Sequence, residues 1–138
     1  TARVKNGWMF EHDEIGYNYR MPNLNAALGL GQMTKLKSYL KDKRFIASIY
    51  EEWAAENKII FFKEPTNVKS NYWLNALILE NETERDRFLN YVNDNGVICR
   101  PLWTPLHNLP MYQKCQCGTL YNTESLFKRV VCLPSSVR

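Results

Sequence analysis

Histidine occurs only twice in the 138 residues, cysteine four times, and glycine and proline six times each. Each scarcity excludes a class of function. With His12 and His107 alone, no Ser-His-Asp or Cys-His set can be assembled from spacing. Zinc needs four ligands, usually as two spaced pairs; Cys115-Gln-Cys117 is one tight pair and the second is missing, so no metal site is expected. Cys99 and Cys132 sit in the apolar, strand-like runs VIC and VVCL and read as small core residues. That usage fits a reducing cytoplasm. The glycines make no phosphate loop: GLGQMTKL lacks a preceding strand and a third glycine. No run approaches the ~20 apolar residues of a membrane span, and no signal peptide opens the chain, so no membrane partner is expected. Thr1 stands where an initiator Met would, which raises the expectation of a piece of something longer.

Charge is also thin. Eighteen basic and fourteen acidic residues leave a net +4. Lys35, Lys37, Lys41, Lys43 and Arg44 are the nearest thing to a basic cluster. They lie on an expected helix without aromatic interleaving and read as a solvated face, so nucleic acid is not an expected partner. Carboxylates are scattered along helix faces, where solvation is the default reading.

The pattern that is present predicts an α+β domain. Residues 1–21 lack sustained periodicity and read as extended or looped. A helix starts near Pro22 and Asn23, since proline suits a first turn and asparagine can cap free amides. Gly29 and Gly31 weaken it by about 1 kcal/mol each relative to alanine, and a bend or a close-packed neighbour is expected there. From Leu36 the apolar residues Leu36, Tyr39, Leu40, Ile46, Ile49, Tyr50 and Trp53 recur at three- and four-residue steps. They predict a long amphipathic helix to about Asn57, with more apolar surface than a small sheet needs.

Strands follow at Ile59 to Phe62 and Tyr72 to Leu79. Asn81, with Glu84 three residues on, predicts a helix start, and Gly96 its end. A third strand runs from Val97 to Leu102. Residues 103–119 form a long loop, a feature that is often functional. A short helix near 123–129 and the strand VVCLP close the chain. The result is a small antiparallel or mixed sheet with helices on one face.

Two clusters could carry chemistry. In Tyr17-Asn18-Tyr19-Arg20 an extended backbone sends the tyrosines one way and Asn18 and Arg20 the other. Arginine can grip a phosphate or carboxylate with two parallel hydrogen bonds, asparagine can donate its amide to an anionic oxygen, and tyrosine offers a ring face. The plain alternative makes the tyrosines core and pairs Arg20 with Asp13 or Glu14. The second cluster, RPLWTPLH, presents Arg100, Trp103 and His107 within eight residues of proline-stiffened loop. Its plain alternative packs Trp103 on the core.

Taken in order, GYNYRMPNLNAALGLGQMTKL, SNYWLNALIL, RPLWTPLH and VVCLPSS resemble the small domain of the DegT/DnrJ/EryC1/StrS sugar aminotransferases, from about His12 to Ser136. The resemblance implies a fold-type-I enzyme dependent on pyridoxal phosphate (PLP), which moves an amino group from glutamate to a keto group of a nucleotide-linked deoxysugar. It implies a homodimer with shared active sites. Asn18 would reach the cofactor phosphate in the neighbouring subunit. Tyr17, Tyr19 and Arg20 would border that neighbour's substrate pocket, and Trp103 and His107 would approach the sugar-nucleotide.

The family's Schiff-base lysine and the acid beside the pyridine nitrogen lie upstream of these motifs. Nothing here matches their context, Lys5 in RVKNGW included, so no catalytic residue is assigned and the chain alone is expected to be inactive. The expected organisation is residues 1–21 as a connecting segment, 22–57 as a long interdomain or dimer helix, and 58–138 as the small domain. Two other readings remain: a non-catalytic relative used as a sensor or assembly module, and a free-standing module for an anionic ligand. The apolar stripe from Leu36 to Trp53, which a lone module would leave partly wet, argues against the last.

Overall fold

The computed structural model describes residues 3–6, 9–17 and 19–137. The elements in chain order are β1 (Arg3–Asn6), β2 (Met9–His12), α1 (Asn23–Met33), α2 (Leu36–Glu56), β3 (Ile60–Phe61), β4 (Asn75–Ile78), α3 (Glu82–Asp94), β5 (Arg100–Pro101), α4 (Tyr121–Phe127) and β6 (Val130–Leu133). The α+β class and the long helix are as expected. The opening is not a plain loop: β1 and β2 pair antiparallel, Arg3 opposite His12 and Asn6 opposite Met9. No hydrophobic alternation announces that hairpin, which is held by backbone pairing.

The sheet is four-stranded and fully antiparallel, in the order β3-β4-β6-β5. Side chains alternate across a strand. In register, Phe61, Leu77, Val131 and Pro101 therefore line up on one face, with Asn75 and Leu133 beside them. This face carries the core: Phe61, Leu77, Val131 and Leu133 pack with Cys99, with Ala47 and Ala54 of α2, and with Leu89 of α3. Both cysteines expected in the core, Cys99 and Cys132, are buried, and burial pushes the Cys99 thiol up to about 11.

Helix α2 lies on the sheet through small residues. Ala47 and Ala54 are its buried positions, with Leu40 and Tyr50 half-buried on the same side and the Tyr50 hydroxyl donating to the Pro134 carbonyl at 3.0 Å. The expected stripe is thus rotated: Leu36, Ile49 and Trp53 are exposed, as is Phe45. Counting large apolar residues located the helix but not its contact line, because close approach to a sheet favours alanine.

Both long helices end in the same backbone closure. In α3 the Gly96 amide donates to Asn93 O and the Val97 amide to Val92 O, with Gly96 at φ +81°. In α2 the Lys58 and Ile59 amides do the same to Ala55 O and Ala54 O, with Lys58 at φ +57°. Glycine takes that left-handed position without strain, so only the first ending was marked by its closing residue; the second, expected near Asn57 and found at Glu56, was marked by where the apolar periodicity stops. Asn81 Oδ1 accepts from the Glu84 amide at 3.0 Å, as the capping pattern predicted.

Three further differences have local causes. α1 runs unbroken through its glycines; the break falls at Thr34 and Lys35, and a Cβ at Gly29 or Gly31 would meet nothing within 4 Å. The strand expected from Tyr72 begins only at Asn75. The Ser70 and Asn71 side chains accept from the amides of Tyr72 and Trp73, and Tyr72 sits at φ +45°, a turn that competes with the ladder. The strand expected from Val97 to Leu102 is only Arg100–Pro101.

Arg44, read as solvated, is half-buried and paired. Its guanidinium makes two bonds to Glu64, at 2.5 and 3.1 Å, and one to the Ser70 carbonyl at 2.7 Å. Together with the Ser70 amide this holds the Glu64 carboxyl at about 2. Arg85, in α3, is buried. It joins α3 to α4 by donating to Phe127 O at 3.0 Å, and within α3 it donates to Asp86 Oδ1 at 2.7 Å.

Candidate functional site

The first cluster lies between β2 and α1. Tyr17 and Tyr19 are 79% and 91% exposed, and their rings stand 6.2 Å apart at 32°. They are not core. Arg20 is exposed, and among the described residues it has no acidic partner; the alternative pairing with Asp13 or Glu14 is not formed. Asn18 lies outside the described residues. Two ring faces and a guanidinium without an acid beside them suit a planar, anionic ligand such as a phosphorylated ring. They form an open projection that can supply one side of an enclosure.

The helix that follows deepens this picture. Leu24, Leu28, Leu30 and Met33 of α1 are all exposed, and no residue of the helix is buried. Eleven residues of NLNAALGLGQM, none of them buried, are unlike an ordinary surface helix, which keeps one face polar.

The second cluster is built at the end of β5. Pro101 is buried in the ladder opposite Val131, and the chain then leaves the sheet. Trp103 does not pack on the core. It is 49% exposed and lies against the still more open Trp73, with ring centroids 5.8 Å apart. Ser135 Oγ donates to the Trp73 carbonyl at 2.5 Å, and Lys43 Nζ to the Ser135 carbonyl at 2.6 Å. A short 3-10 turn, Leu106–Asn108, then carries His107. Its Nε2 contacts Glu124 Oε1 on α4, and Asn108 Nδ2 donates to the same oxygen at 2.9 Å. These two bonds, Asn108 first, hold the Glu124 carboxyl below the usual carboxylate range. Leu109 is buried beneath the turn.

Sequence reading missed Glu124 and Trp73. Glu124 is seventeen residues from His107 and resembles any acid in a first helical turn. Trp73 read as an ordinary strand residue.

Among the described residues, no hydrogen bond, ion pair or ring contact joins Tyr17, Tyr19 or Arg20 to Trp103 or His107. Concavities of about 780 Å3 (around Ile60, Ile78, Phe88 and Tyr91) and about 580 Å3 (around Lys37, Lys41, Arg44 and Lys69) include neither cluster. Cys115 and Cys117 are exposed free thiols, and among the described residues no three His, Cys, Asp or Glu side chains are grouped to hold a metal. No helix among those residues is long and apolar enough to cross a membrane.

The family is settled by comparison. Residues 2–138 match the model of the DegT/DnrJ/EryC1/StrS aminotransferase family, and the chain belongs to it. It is 36% identical to the GDP-perosamine synthase of Vibrio cholerae, over 96% of this chain and 38% of that protein. A DegT DnrJ EryC1 StrS aminotransferase structure from Brucella abortus superposes with a TM-score of 0.73 at 24% identity, covering 94% of this chain and 35% of the other. The E. coli GDP-4-keto-6-deoxy-D-mannose-3-dehydratase with bound hydrated PLP superposes with a TM-score of 0.71 at 21% identity, covering 87% and 32%. The chain thus spans about a third of the length of the relatives it matches. The long helix and the small antiparallel sheet flanked by helices have the fold of a fold-type-I small domain.

Proposed function

We propose that this chain is the C-terminal, small-domain part of a PLP-dependent aminotransferase, working in the cytoplasm, that moves an amino group from glutamate to a nucleotide-linked keto-deoxysugar. The observation that carries the reading is the open arm: Tyr17, Tyr19 and Arg20 exposed and without an acidic partner, followed by an apolar helix with no buried residue. Such groups need a complementary surface, and a second protomer with a large domain supplies one. The bare tyrosines and guanidinium fit a phosphorylated ring, although they do not enclose it.

In this reading residues 1–21 connect to the large domain, 22–57 pack between domains and protomers, and 58–138 form the small domain. Asn18 and its amide hold the cofactor phosphate in the neighbouring subunit. Tyr17, Tyr19 and Arg20 border that pocket, and Trp103 and His107 meet the sugar-nucleotide. PLP, when bound, supplies the electron sink and accepts the amino group. The residues of this chain bind and orient, and the covalent lysine belongs to the segment upstream. The GDP-perosamine synthase and the PLP-bearing dehydratase support the substrate class and the cofactor.

The test uses the complete polypeptide with PLP, 15N-glutamate and nucleotide-linked keto-deoxysugars. The expected result is 15N in the sugar product. Loss of water from the sugar without label would overturn aminotransfer, and no reaction would favour the non-catalytic relative. Asn18→Ala should weaken cofactor retention without unfolding the dimer. Arg20→Ala should raise the KM for the nucleotide sugar more than that for glutamate. Borohydride trapping of PLP on the 138-residue chain alone would refute the upstream lysine.

A further inference from the structure

The loop that carries Trp103 and His107 leaves the sheet at Pro101 and has no ladder to hold it. The side-chain polar contacts of its tip converge on a single carboxylate oxygen. Glu124 Oε1 contacts His107 Nε2 and accepts from Asn108 Nδ2 at 2.9 Å, so two consecutive residues of the 3-10 turn converge on one atom of α4. The acid is itself fixed: it sits in the first turn of α4, where its amide donates to Leu120 O at 3.0 Å. The His107 side chain is 24% exposed, and among the described residues its Nδ1 has no hydrogen-bond partner.

A carboxylate on one imidazole nitrogen sets the ring's orientation and keeps a proton on that nitrogen. The other nitrogen is then the one open to a ligand. We propose that Glu124 is the positioning residue for His107. It commits Nε2 to the protein and leaves Nδ1 as the nitrogen that meets the sugar-nucleotide, with Asn108 completing the clamp. The substrate half of this rests on the function proposed above; the clamp itself does not.

Position and charge can be separated, because both contacts use the same oxygen. Glu124→Gln keeps an acceptor at that atom and loses the charge, whereas Glu124→Ala loses both. In the complete enzyme, Glu124→Ala should raise the KM for the nucleotide sugar by about tenfold, the cost of one charged hydrogen bond, while the KM for glutamate stays put. Glu124→Gln should recover most of that loss. His107→Ala should match Glu124→Ala, and the double variant should be no worse than either, the mark of residues acting as a unit.

Equal increases in both KM values, or additive losses in the double variant, would overturn the assignment in favour of a structural helix contact. If the complete polypeptide takes no nucleotide sugar, the functional reading fails on its own and the clamp is judged by NMR of that same polypeptide. There the ring 15N resonances of His107 should move in Glu124→Ala and stay near wild type in Glu124→Gln. Unmoved resonances in Glu124→Ala would refute the clamp.

Discussion

Helix α1 and strand β6 are both rich in apolar side chains, and they end in opposite environments. All four residues of β6 are buried at the centre of the sheet; no residue of α1 is buried. Composition therefore does not separate a core element from an interface element. What separates them is whether the chain supplies something to pack against. β6 has β4 and β5 on either side and α3 against it. Among the described residues α1 leads by a short turn into α2, and its leucines are exposed.

That contrast can be broken by mutation, and the largest effect belongs to the sheet. Leu77→Ala removes a fully buried side chain from the core face and should cost about 3 kcal/mol in denaturant unfolding of the 138-residue chain. A loss under 1 kcal/mol would mean that the core is far looser than its burial implies.

A gain is expected one position pair away. Asn75 is 1% exposed, and among the described residues neither its amide nitrogen nor its oxygen has a hydrogen-bond partner. Asn75→Val should stabilise the chain by about 1 kcal/mol, since it removes an unpaired polar group and suits a strand. A destabilised variant would indicate that this amide is satisfied in solution.

Acid titration sharpens the comparison between α2, which is anchored, and α1, which is not. Glu64 is lowered from its ordinary 4.5 to about 2 by Arg44. A carboxyl depressed in the folded state adds stability above its unfolded value and loses it as pH falls through the folded one. Stability should therefore fall between about pH 4.5 and 2. Glu64→Gln should be less stable at neutral pH and flatter across that window, and a parallel slope would remove the pair from the account.

The smallest effect is expected on the arm. Leu28→Ala in the 138-residue chain should change stability by no more than about 0.5 kcal/mol. In the proposed dimer the same change should weaken assembly, measured by sedimentation. A loss in the isolated chain comparable to that of Leu77→Ala would show that α1 has a partner within its own chain.

Much of the fold was legible, and each legible element had a local cause. Asn81 and Gly96 bracket α3 because capping and left-handed termination act within a few residues. The strands at Ile60–Phe61 and Val130–Leu133 follow from short apolar runs. The hairpin at residues 3–12 was missed because backbone pairing with no apolar alternation leaves little trace. α2 ends at Glu56, beside the expected Asn57, because the apolar periodicity stops there; that a left-handed Lys58 closes it was not legible, since lysine does not advertise that conformation.

The two candidate clusters were visible as residue types at close spacing, and that alone could not choose between their plain and functional readings. Tyr17 and Tyr19 could have been core; the exposure of both rings decided otherwise. Trp103 could have packed inward; it met Trp73 instead, thirty residues earlier in sequence.

By itself, then, the sequence determined the helices, the approximate places of the four strands of the main sheet and the clusters of residues able to bind an anionic ring, because propensity, capping and spacing are short-range properties of the chain. The tertiary structure alone decided which apolar stripe of α2 meets the sheet, that Arg44 answers Glu64, and that Glu124 holds His107. Those contacts depend on distance in space between groups far apart along the backbone, and only the folded arrangement of α2, the sheet and α4 sets that distance.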